Sequence, residues 1–214
     1  MVIMFNYHNI LFFVGLLIYL YVSIYYPDYI YKDYIRIKKL NNIVHIENKI
    51  TNKTLNIVTK VIKNHILNNI TNIYLYINSL GGDFEEGYKL IKFIEKSKLN
   101  KISFICIAKK AASTAFIIFQ YCDKRYILKN SFLSDHELQV TLKLTGTIEN
   151  IDSWYNNNFL FMKDVNKKVR EYISNKINMK YDGYLIKIKN KNWNIIGGYN
   201  ILKYKLADKI VYLI

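Results

Sequence analysis

Three short stretches carry residue types that could do chemistry together. Ser113 sits in Ala111-Ala112-Ser113-Thr114-Ala115, a small-residue turn after an apolar run. His136 closes Asn130-Ser131-Phe132-Leu133-Ser134-Asp135-His136. Gly81-Gly82 ends the apolar run that begins at Ile73. A serine hydroxyl is a weak nucleophile until a base takes its proton and donors receive the oxyanion that its attack creates. His136 is the natural base. At the first turn of a helix, Ser113 would be followed by an unpaired Thr114 amide, because the first N–H groups of a helix have no partner inside it. Gly81 offers a second amide, on backbone that a carbonyl can approach closely. Such a set attacks an acyl carbon, with Ser113 and His136 catalytic and Gly81 and Thr114 forming an oxyanion hole. Singly, each feature also fits a helix cap, a surface histidine or a turn. Order and strand context join them.

The elements that must position these residues follow from hydrophobic periodicity. Asn42–Ile46 reads as a first strand, and Thr51 or Asn52 caps a helix carrying Leu55, Val58, Val61, Ile62, Ile66 and Leu67 at helical spacing. Ile73–Ile77 is a continuous apolar run of the buried-strand type. A helix over Phe84–Lys96 follows, with Asp83, Glu85 and Glu86 complementing its dipole and not forming a metal site. The unit then repeats as strand Ile102–Ile107, a turn at Lys109-Lys110 and a helix over Ala111–Gln120. Two short strands come next, Tyr126–Leu128 and Ser131–Leu133. A turn and helix occupy Leu142–Ser174, interrupted at Asn156-Asn157-Asn158, with Trp154, Phe159, Phe161, Met162, Val165 and Val169 as the buried face. Trp193–Ile196, a second Gly-Gly, a short helix Tyr199–Tyr204 and a last strand Lys209–Leu213 close the chain. This alternation predicts an α/β domain with a mostly parallel sheet. Right-handed crossovers would gather the strand ends along one edge, where the chemistry of such folds sits.

The 214 residues fit one domain with a sizeable core, and an apolar content of 51% against 22% charged excludes a disordered chain. The net charge of +15 is spread as lysine without an arginine-rich block, so no nucleic-acid partner is expected. Cys106 and Cys122 lie in apolar segments without CxxC spacing, which predicts buried reduced thiols and a reducing compartment. No metal-ligand cluster or phosphate loop occurs, so no metal or cofactor is expected.

Residues Met1–Tyr26 carry no Asp, Glu, Lys or Arg. Ile10–Tyr26 approaches the ~20 apolar residues that cross a bilayer as a helix, with Tyr19, Tyr21, Tyr25 and Tyr26 toward one interface. No basic residue precedes the run and no small-residue cleavage site follows it, so a retained anchor is expected in place of a signal peptide. Lys32, Arg36, Lys38 and Lys39 follow, which orients the next domain to the cytoplasmic side. The expected organisation is a transmembrane anchor over 1–27, a juxtamembrane linker over 28–41 and a catalytic domain over 42–214.

Tyr76-Ile77-Asn78-Ser79-Leu80-Gly81-Gly82, then Ala111–Ala115, then Ser134-Asp135-His136, resemble the motifs of the Clp proteolytic-subunit family of serine peptidases. The likeness spans Asn42 to Leu213. It implies a ClpP/crotonase-type fold of repeated strand–strand–helix units, hydrolysis of peptide bonds and oligomeric rings; with no phosphate loop in the sequence, any unfolding energy needs a separate ATPase unfoldase. By position it makes Ser113 the nucleophile, His136 the general base, and the Gly81 and Thr114 amides the oxyanion hole. The chain departs from the pattern at Leu80, where the family has proline, and near Lys109, where it has glycine. Asp135 and Glu137 flank the histidine in place of the family's usual neighbours. The acid that orients the histidine has three candidate positions, Asp182, Lys189 and Asn192. The anchor is similar to that of membrane-bound relatives, some of which use a Ser-Lys pair, so Lys109 or Lys110 is an alternative base. The departures also fit an inactive subunit acting as a membrane-tethered assembly or adaptor protein. The shared oxyanion hole admits a crotonase-like acyl-CoA enzyme.

Overall fold

The structure is a computed structural model that describes residues 35–37, 42–139, 145–189 and 193–213. The strands are β1 (Ile35–Ile37), β2 (Ile43–Glu47), β3 (Asn72–Ser79), β4 (Ser103–Ala112), β5 (Lys124–Asp135), β6 (Trp193–Ile196) and β7 (Lys209–Leu213). The helices are α1 (Asn52–Leu67), α2 (Phe84–Leu99), α3 (Thr114–Gln120), α4 (Ile148–Trp154), α5 (Leu160–Lys176), α6 (Tyr181–Lys189) and α7 (Gly198–Lys203). One sheet runs in the order β1-β7-β5-β4-β3-β2, with β6 paired to β5 off this path. Strands β2 to β5 are mutually parallel and β7 is parallel to β5, while β6 is antiparallel. The expected mixed α/β architecture with a mostly parallel sheet is present.

The helices form where the apolar spacing and caps predict. Thr51 caps α1 by accepting from the Thr54 amide, and Leu55, Val58 and Ile62 are buried. Asp83 caps α2 by accepting from the Glu86 amide, with Glu85 and Glu86 in the first turn. A side-chain cap of this kind contributes about 1 kcal/mol. Ile73, Leu75 and Ile77 form one fully buried face of β3. The other face, with Tyr74 and Tyr76, is half-buried, so β3 alternates where a run buried on both sides was expected. Full burial on both faces falls to Phe104–Ala108 of the central β4.

Several expectations change. Lys109-Lys110 is no turn. Strand β4 continues through both lysines to Ala112, and a register shift against β5 between Ala108 and Lys110 absorbs the irregularity. The two short strands expected after Asp123 are one long β5. Ser131 Oγ donates to Ala108 O at 2.6 Å and accepts from the Leu128 amide, holding the strand together across the irregular stretch. The asparagine cluster does not end its helix. Tyr155–Phe159 forms a π-helical turn that joins α4 to α5. The buried face of α5 is Val165, Val169, Arg170, Ile173 and Ser174, whereas Phe161 is exposed.

Cys106 and Cys122 are joined in a disulfide, contrary to the expectation of free thiols. Helix α3 doubles back over the sheet and brings the end of the strand–helix unit onto β4, with the two Cα atoms 5.9 Å apart. Both residues are fully buried. Joined in this way, the two cysteines give no ground for a reducing compartment. The expected anchor over 1–27 lies outside the described residues. Among the described residues no helix is long and apolar enough to cross a membrane. Ile35–Ile37 is a short strand within the stretch expected as a linker.

Candidate active site

Ser113 occupies the junction between β4 and α3 with φ 54° and ψ −127°. Among the described residues, Asn48, Asn69, Lys101, Asn178 and Lys205 also have positive φ; the last four lie just past a helix end, where a left-handed residue is ordinary, and Asn48 is an asparagine just past β2, a residue type that tolerates that region. Ser113 is instead at a helix start, and its side chain makes no cap bond there. The serine N-cap explanation therefore fails. The strained conformation presents the hydroxyl as a sharp strand-to-helix elbow does. Its amide donates to Ser134 O at 2.9 Å, which ties the elbow to the end of β5.

The glycine pair makes room for that elbow. Gly81 has φ +97°, and a Cβ there would lie 2.6 Å from Ala112 O and 2.8 Å from Ser113 Cβ. The Gly81 amide, expected in the oxyanion hole, donates instead to Ser79 Oγ at 3.1 Å. Ser79 Oγ in turn donates to Asn48 O. The Gly82 amide has no partner among the described residues, although its neighbours bridge to Ile50. Thr114 Oγ1 donates to Gly82 O at 3.0 Å and fixes the glycine against the helix start. The Thr114 amide is likewise without a partner among the described residues.

A cavity of about 410 Å³ brings Ser113, Thr114, Gly82 and His136 together. Phe84, Ile117, Leu138 and Met162 add apolar wall, and Asp83, Glu85, Gln139 and Arg170 complete it. His136 Nδ1 lies 2.6 Å from Glu137 O. A carbonyl only accepts, so Nδ1 carries the proton and the neutral ring keeps Nε2 as its basic nitrogen. No hydrogen bond joins Ser113 to His136 among the described residues.

No acidic side chain contacts the imidazole among the described residues. Asp182 and Lys189 are exposed on α6, and Asn192 lies outside the described residues. Lys109 and Lys110 are exposed on β4. Lys110 lines a separate groove with Asn48, Lys49, Asn78 and Leu80, which also touches the glycine pair.

The residues that sequence reasoning missed lie directly behind His136. Asp135 is fully buried and accepts from Arg170 Nη1 and from Tyr184 Oη, while Arg170 Nη2 donates to His136 O at 2.9 Å. Burial works against the Arg170 charge, but Asp135 and then Tyr184 outweigh it and hold the guanidinium above its ordinary pKa. Burial, then Asp135, push the Tyr184 phenol well above its usual range. Asp135 Oδ1 and Arg170 Nε have no hydrogen-bond partner among the described residues. The arginine itself is a sequence signal. In a chain whose basic surface is almost all lysine, Arg125 and Arg170 are both buried against carboxylates, Asp208 and Asp135.

Among the described residues no His, Cys, Asp or Glu group could hold a metal ion. A comparison with curated proteins gives no match. The model of the Clp protease family matches residues 28–212, most of the chain and both halves of the cavity. A strand–helix elbow, a glycine-cleared amide and a histidine thus meet within a single family domain, and the chain belongs to the Clp protease family.

Proposed function

We propose that this protein is a serine endopeptidase in which Ser113 is the nucleophile and His136 the general base. The carrying observation is the strained, uncapped Ser113 facing the same cavity as a histidine whose Nδ1–H is committed to a backbone carbonyl. Ser113 Oγ attacks the peptide carbonyl carbon as His136 Nε2 takes its proton. The oxyanion accepts from the Thr114 and Gly82 amides, Gly82 replacing the committed Gly81. Collapse breaks the C–N bond, and His136 gives its proton to the leaving amine. Water, deprotonated by His136, then cleaves the acyl-enzyme and restores Ser113.

The family acts on protein substrates and is generally oligomeric. For this chain we assign a peptide or protein substrate, a homo-oligomeric assembly and a separate ATPase unfoldase. The uncharged apolar run and the basic residues that follow it are the support for an anchor over 1–27 with the domain on the positively flanked, cytoplasmic side. The buried disulfide is shielded from exchange there. The test is reaction with a fluorophosphonate probe and cleavage of short fluorogenic peptides, both lost in Ser113→Ala. The missing acid at His136 favours a second reading, an inactive subunit that assembles with active partners. Wild-type protein that neither labels nor cleaves, yet enters mixed rings, would establish it.

A further inference from the structure

The peptidase reading leaves His136 without a carboxylate to orient it, yet a buried charge pair stands one residue away. Asp135 is 1% exposed and Arg170 2%. Arg170 reaches two groups at once, the Asp135 carboxylate through Nη1 and the His136 backbone carbonyl through Nη2. That fork suits a guanidinium and not an ammonium. Tyr184 brings α6 onto the same carboxylate oxygen. Three elements, β5, α5 and α6, therefore converge on the peptide that carries His136. Its own carbonyl is held by Arg170, and the next carbonyl, of Glu137, holds the ring at Nδ1. Stability alone gives no reason for this arrangement, since apolar side chains of similar volume serve a core as well as a buried ion pair.

We propose that Asp135, Arg170 and Tyr184 form a positioning cluster that takes the place of the triad acid. This rests on the peptidase reading. The cluster fixes the His136–Glu137 backbone, so that the Glu137 carbonyl sets the tautomer of the imidazole. Arg170 also neutralises Asp135, the carboxylate one residue from the imidazole. The other ionisable groups around His136 are Glu137 on its own segment and Asp83 and Glu85 at the start of α2, across the cavity. None of these reaches Arg170, so the Asp135 charge depends on Arg170 alone for its neutralising cation among the described residues.

The experiment measures the rate of Ser113 labelling by a fluorophosphonate against pH in the full-length protein. Arg170→Gln is expected to slow labelling at neutral pH by roughly tenfold to a hundredfold, the scale of a small misplacement of a reacting group. It also leaves Asp135 unneutralised, which favours imidazolium, so the acidic limb of the profile moves to higher pH. Adding Asp135→Asn returns the limb to its wild-type position while the rate stays low. Arg170→Lys keeps the charge but loses the fork, so its rate falls with the limb unmoved. Tyr184→Phe slows labelling by about twofold to fivefold, as expected for one lost hydrogen bond. A merely structural pair would lower the unfolding midpoint but leave the folded fraction labelling at the wild-type rate with an unmoved profile, and that result overturns the proposal. Where Arg170→Gln does not fold, Arg170→Lys and Tyr184→Phe decide, and wild-type rates in both overturn it. Wild-type protein that never labels defeats the peptidase reading and the cluster with it, a failure distinct from wild-type labelling that the variants share.

Discussion

Gly81 shows how tightly single residues constrain the site. Its φ of +97° is costly for any side chain, and a Cβ would meet the Ala112 carbonyl and Ser113 Cβ at under 3 Å. Gly81→Ala therefore forces the elbow apart. It is expected to cost on the order of 1–3 kcal/mol of stability, as overpacking does, and to abolish most labelling at Ser113. The urea midpoint and the labelling rate check this, and an unchanged rate would show that the elbow geometry is not what activates the serine. The glycine pair, the serine and the histidine were legible because each type has few structural uses in that order. Which glycine amide stays free was not legible, since it depends on Ser79 Oγ reaching Gly81 across a turn. Nor was the Asp135–Arg170 pair, which needs residues 35 positions apart to meet.

Among the elements, α3 binds the site to the rest of the fold. Its C-terminal carbonyls are capped by Lys176 at the end of α5, whose Nζ donates to Gln120 O at 2.6 Å and Cys122 O at 2.7 Å. Burial, then the neighbouring charges of Arg125 and Lys98, lower the Lys176 pKa from 10.5 to about 8, against the smaller pull of Asp208 and Asp123. Between those two values the unfolded chain binds a proton that the folded chain does not, so stability rises with pH across that window. Urea midpoints should climb from pH 8 to pH 10, and Lys176→Met should flatten the slope. A slope that survives the substitution would place its source elsewhere. The sequence showed the strands and first helices well, because their apolar periods and caps are local. It misjudged Lys109-Lys110, where Lys110 pairs with Asn78 on one side and Phe132 on the other, and Lys109 falls at the register shift between the paired residues. It did not show α6, which has a weak apolar pattern and is positioned by Tyr184 packing on Trp193 at 5.9 Å.

At the scale of the whole molecule, the proposed reading gives the family domain over 28–212 the chemistry and the apolar stretch ahead of it the placement at a membrane. Full-length protein should sediment with membranes and resist carbonate extraction, while a chain lacking residues 1–27 should stay in the supernatant and keep its labelling rate. Extraction of the full-length chain by carbonate would contradict the anchor. The central claim is that a strained serine and a carbonyl-held histidine form a working nucleophile without a carboxylate touching the ring. Site-resolved mass spectrometry after fluorophosphonate treatment tests it most directly. A single adduct is expected on the peptide containing Ser113, formed faster as pH rises and absent in both Ser113→Ala and His136→Ala. An adduct on another residue, or none on native protein at any pH, would contradict it.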